Sequence, residues 1–166
     1  MTAGVEGHPA IARAAGWALA FLGAVVIAGW FAHLPALVQL QPNWASMKLN
    51  TAVCFALFGA ATLAVTQGRH RTALVCCLVV AAIAVATESQ YVFGVDLRVD
   101  ELLLPAFLVE PNVPPGRMSP ITAALFMIAA AGLGSLMGQP STARSTVAAF
   151  GASIIAGVAL DRKSVV

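Results

Sequence analysis

Five long apolar runs, separated by short stretches rich in Pro, Gly and charge, leave this chain few ways to fold. Several approach the ~20 residues that a helix needs to cross a hydrocarbon layer. They are continuous and rich in Ala, Leu and Val, without alternation, so they read as helices and not as barrel strands. Composition then fixes the solvent. Of 166 residues, 60% are hydrophobic and 10% charged, where a soluble domain carries about 25% charged. Water would meet most of that apolar surface uncovered. A bilayer accepts it, provided each backbone polar group is bonded inside a helix.

The expected fold is therefore an all-α membrane protein, a bundle of about five transmembrane helices over residues 14–32, 47–66, 72–93, 118–138 and 146–160. A signal peptide is the rival reading of the first run. Arg13 would be its whole positive region and no Ala-x-Ala pattern follows, which favours a retained helix. Trp17, Trp30 and Trp44, near the ends of the early runs, suit the aromatic belt at a membrane surface. Beyond Leu160 the pattern breaks, and residues 161–166 read as a truncation or a foreign tail.

Orientation rests on the basic residues of short loops. Arg13, Arg69, Arg71 and Arg144 fall on one side and Lys48, Arg98 and Arg117 on the other, which places the amino terminus in the cytoplasm. The two longer loops then face outward. A scattered net charge of +2 sets nucleic acid aside as a partner. Cys54, Cys76 and Cys77 lie in apolar runs, where a thiol is usually a packing residue. With no Gly-x-Ser-x-Gly elbow and no His-Glu-x-x-His pair, no enzymatic activity is expected of this chain and no cofactor is predicted.

One stretch, residues 47–59, returns in diverged form at Met118. The alignment pairs Met47 with Met118, Thr51 with Thr122, Ala52 with Ala123 and Phe55 with Phe126. Each copy follows a Pro-containing polar loop and opens an apolar run, as a repeated helical hairpin would. Asn50, Thr51 and Thr122 stand at helix entrances, where capping of free N–H groups is the favoured role and bonding to a neighbouring helix the other. Met47 and Met118 read as flexible apolar plugs, with soft-metal ligation the minor alternative. His33 has no second histidine at its level and reads as an interfacial residue before a metal ligand.

Glu88 is the most informative single residue. It lies five residues before Phe93, about 7–8 Å inside the end of the third run, among apolar neighbours. It either faces the bundle interior as a switch, with Arg117 or Lys48 as partner, or snorkels to the surface beside Gln90 and Tyr91. The residues leave both open. The loop of residues 94–117 mixes leucines with acids, which fits a short interfacial helix or a lid. Gly134 and Gly138 form a small-xxx-small pair suited to close helix packing.

Three segments resemble the multi-pass membrane sensor region at the amino terminus of many bacterial histidine kinases and diguanylate cyclases. They are Met47-Lys-Leu-Asn50-Thr51-Ala-Val-Cys-Phe55, Glu88-Ser-Gln-Tyr91-Val-Phe-Gly94-Val-Asp96-Leu-Arg-Val-Asp100 and Gly116-Arg117-Met118-Ser119-Pro120-Ile-Thr122-Ala, roughly a quarter of the chain. Two positions depart from the pattern. Ile121 stands where the family usually has Asn, and Ser89 and Gln90 separate Glu88 from Tyr91. The resemblance implies a sensory input module of the bacterial inner membrane, serving two-component or cyclase signal transduction. It also implies a homodimeric parent and a cytoplasmic output domain missing from this fragment. The alternative is a small integral membrane protein or part of a secondary transporter, which would need polar groups at mid-membrane.

Overall fold

The computed structural model describes residues 9–39, 41, 44–108 and 113–137. Within them the chain is helical, with no strand. Helix α1 spans Pro9–Phe31, a short α2 spans Pro35–Val38, α3 spans Leu49–Thr66, α4 spans His70–Phe93 and α5 spans Pro120–Leu136. A single 3-10 turn, Val99–Glu101, interrupts the long connection between α4 and α5. Helices α1, α3 and α4 are long and apolar enough to cross a membrane, and α5 is apolar but shorter. The expected fifth run, residues 146–160, and the tail, residues 161–166, lie outside the described residues.

Local chemistry sets the helix ends. Within the described residues α1 begins at Pro9, five residues before the expected start. The other end closes in a Schellman arrangement. His33 takes a left-handed φ of 52°, its N–H reaches Trp30 O and the N–H of Leu34 reaches Gly29 O. Gly68, at φ 73°, closes α3 in the same way, with Arg69 N–H on Ala64 O. Ser119 caps α5, its hydroxyl accepting the N–H of Thr122, and Pro120 sits in the first turn. Thr122 is thus the capped residue and not the cap. On α3 the cap position falls to Lys48, which makes no side-chain cap bond, so Asn50 and Thr51 lie within the helix.

Helix α3 is the centre of the bundle. Two-thirds of its apolar stretch is buried (67%), against 28% for α1 and for α4. It packs most closely on α1, then on α4, while α5 packs mainly on α4. The α1–α3 contact is backbone against backbone. A Cβ on Gly23 would stand 2.5 Å from Ala52 O and Ala56 N, and one on Gly59 would stand 2.5 Å from Ala20 N. Glycine alone permits that approach. Gly134, singled out by its spacing, has nothing within 4 Å of where a Cβ would go among the described residues, and Gly138 lies outside them.

One core runs along α3, α4 and α5 through Phe55, Phe58, Cys77, Val80, Phe126 and Leu133. A second lies at the other side of α3, where Val26, Trp30, Val38, Leu49 and Ala52 meet Leu104, Phe107 and Leu108 of the long connection. That connection holds no interfacial helix among the described residues. Left-handed Gly94 and Arg98 and the proline at Pro105 break any helical register, and only the 3-10 turn forms.

Candidate functional site at the loop end of the bundle

The end of α1, the start of α3, the end of α4 and the start of α5 gather at one end of the bundle, beneath the long connection. Of the buried polar residues described, Ser46, Lys48, Asn50, Thr51, Gln90 and Asp100 lie there. Asp100 is the centre: its side chain is 3% exposed, and three groups donate to it. Arg117 Nε donates to Oδ2 at 2.8 Å, Gln90 Nε2 to Oδ2 at 2.8 Å and Asn50 Nδ2 to Oδ1 at 3.3 Å. Asn50 also reaches Val99 O at 3.4 Å. Helix α3, helix α4 and Arg117, three residues before the start of α5, therefore hold one loop carboxylate.

Gln90 works in both directions. Its Oε1 accepts the Leu97 N–H at 2.9 Å and Arg117 Nη2 at 3.0 Å, folding the loop back over the last turn of α4. Arg117 also reaches the exposed Asp96 at 3.1 Å, and its guanidinium centre lies 5.6 Å from the Tyr91 ring centroid. Charge-assisted bonds of this kind are the strong ones, and burial excludes the water that would compete with them. Gly116 makes the approach sterically feasible. At φ 68° it places the turn so close that a Cβ would stand 2.9 Å from Asp100 O.

The aromatic residues reveal the repeat in three dimensions. Trp30 Nε1, in the last turn of α1, donates to Met47 O at 2.8 Å. Tyr91 Oη, in the last turn of α4, donates to Met118 O at 3.0 Å. The cap residues that follow have nearly the same backbone, φ −69° and ψ 150° at Lys48 and φ −66° and ψ 150° at Ser119. Phe55 and Phe126 then meet edge to face, ring centroids 5.2 Å apart. Hairpins α1–α3 and α4–α5 thus share an aromatic-to-carbonyl bond ahead of the second helix, and they meet through Phe55 and Phe126.

The other residues marked in the sequence fall as follows. Glu88 is half-buried on α4 and forms no hydrogen bond or ion pair among the described residues. Its expected partner Arg117 is taken by Asp100 and Asp96, and Lys48 Nζ donates to Ser46 Oγ at 3.1 Å. Thr51 is buried near the start of α3, and the Thr122 hydroxyl pairs with Ser119 Oγ at 2.9 Å. His33 rests its ring against Phe107, centroids 5.1 Å apart, and Phe107 in turn meets Trp30 at 4.9 Å. Met118 is buried in the larger core and Met47 packs against both cores. Among the described residues no group of three or more His, Cys, Asp or Glu is placed to hold a metal ion.

Two members of the network, Gln90 and Asp100, carried no signal of their own in the sequence. Arg117 was the available clue, since a cation at a helix entrance calls for a counter-charge, and the loop offers Asp96 and Asp100. One turn below Gln90, the Thr87 hydroxyl is buried and has no partner among the described residues. With three donors on its carboxylate, Asp100 ties the loop to the helix ends beneath it. No family model matches the chain, and comparison with curated proteins and with solved structures finds no match.

Proposed function

We propose that the chain is the membrane-embedded sensory input region of a bacterial signalling protein of the sensor histidine kinase or diguanylate cyclase class. A ligand, redox state or membrane condition felt at the loop end shifts helix packing and so biases a cytoplasmic output domain. The region has no catalysis of its own. Its partners are the lipid of the inner membrane, a second copy in the parent protein and the output domain. The amino terminus lies in the cytoplasm, which puts the Asp100 network on the outer side.

The observation that carries this reading is the buried carboxylate shared by α3, α4 and the entrance of α5. A stimulus can shift an equilibrium only by as much as it favours one arrangement over the other. A loop residue bonded to three elements at once gives such a stimulus a grip on their relative positions. The resemblance of the three sequence segments supports the same class. A transporter would place its polar groups at mid-membrane, whereas the buried Asn50, Gln90 and Asp100 sit at the helix ends.

Reading the native locus downstream of Leu160 tests the proposal. We expect the frame to run on through further membrane sequence into a kinase or cyclase domain. A locus encoding a transporter, or a frame without any signalling domain, would overturn it.

A further inference from the structure

The loop end carries an apolar rim. Phe93 is 75% exposed, Leu102 78% and Leu103 61%, and Val92, Val95 and Leu97 are exposed beside them. They lie along one stretch of chain, from the last turn of α4 into the loop that the network folds back onto it. Leu97 N–H is bonded to Gln90 on the last turn of α4, Asp100 is bonded to the same Gln90, and Leu102 and Leu103 follow two and three residues later. Among the described residues nothing covers them.

Two observations say what does. The rim continues the outer face of α4, where Leu74, Val75, Leu78, Val79 and Val85 are likewise exposed along a helix long and apolar enough to span a membrane. Charged Asp96, Arg98 and Glu101 are exposed within the same segment, interleaved with the apolar residues. Apolar side chains set among charges beside a helix end match the boundary between acyl chains and headgroups. A patch of this kind on a protein otherwise facing water would be an aggregation hazard.

We infer that the rim of Phe93, Leu97, Leu102 and Leu103 is seated in the interfacial layer of the outer leaflet, so that lipid is the partner this loop reads. The inference rests on the membrane reading above and narrows the stimulus to the state of the bilayer surface. Leu97 and Leu102 stand on either side of Asp100 in the chain. A change in interfacial packing that moves the rim therefore pulls on the buried ion pair directly.

The test is spin-label accessibility on the full chain in phosphatidylcholine–phosphatidylglycerol vesicles, with Cys54, Cys76 and Cys77 replaced by alanine. Labels are placed one at a time through Leu102→Cys, Leu103→Cys, Asp96→Cys and, on the middle of α4, Leu78→Cys. We expect collisions with oxygen to exceed those with a water-soluble nickel chelate at positions 78, 102 and 103, and the order to reverse at 96. Oxygen preference at 78 with nickel preference at both 102 and 103 overturns the inference and leaves the membrane reading intact. Nickel preference at 78 overturns both. Dipolar broadening at 102 and 103 that grows with protein-to-lipid ratio assigns the rim to a second copy and also overturns the inference.

Discussion

Asp100 and Arg117 form a pair whose worth depends on both being present. Each side chain is nearly buried, 3% and 11% exposed, so removing one partner strands the other's charge in a poorly solvated place. Arg117→Met should cost about 3–5 kcal/mol. The double variant Asp100→Asn, Arg117→Met should cost clearly less than the sum of the two single changes, because no charge is stranded. Denaturant unfolding in detergent micelles measures both, and additive single losses would show that the pair is not coupled. This pairing could not be read from the sequence. Arg117 and Asp100 are 17 residues apart and Asn50 is 50 residues from Asp100, so their meeting depends on the loop's path and not on local periodicity. Glu88 drew attention because a carboxylate within an apolar run is conspicuous, whereas Asp100, in a polar loop, is not.

At the scale of elements, the α1–α3 crossing rests on small residues that let two backbones touch. Gly23→Ala would drive a methyl into Ala52 O and Ala56 N and should destabilise by about 1–3 kcal/mol, as overpacking does. Gly134→Ala meets nothing within 4 Å among the described residues and should be neutral, or stabilising by up to about 1 kcal/mol through helix propensity. Thermal unfolding of the two variants side by side checks this, and equal effects would contradict the packing described. Helix positions were legible because apolar runs end where Pro, Gly or charge intervene. Helices α3 and α5 begin at Leu49 and Pro120, each two residues after the expected start. Which small residues touch was not legible. Gly134 and Gly138 have the favoured spacing, but contact depends on crossing register, which places Gly23 and Gly59 at the seam. Nor does the sequence mark α3 as central, since its neighbours are as apolar as it is.

Among the described residues the long helices form two hairpins, α1–α3 and α4–α5, with the loop network laid across their ends. Trp30 and Tyr91 clasp the two hairpins at equivalent points, and Phe55 meets Phe126 between them. The Asp100–Gln90–Arg117 network, with Asn50 reaching in from α3, pins the longer loop over both hairpins, and Phe107 reaches back to Trp30 and His33. The repeat supplies a frame and the network supplies one place where an outside influence can act on several helices together. That division of labour is the centre of the account. Its most direct test is the kinase or cyclase output of the complete protein carrying Asp100→Asn, measured at matched amounts of folded protein in the membrane. The account predicts that basal output changes on the order of tenfold, the effect of about 1.4 kcal/mol on a two-state balance, and that the response to stimulus shrinks. Output and response equal to those of the unaltered protein would contradict it.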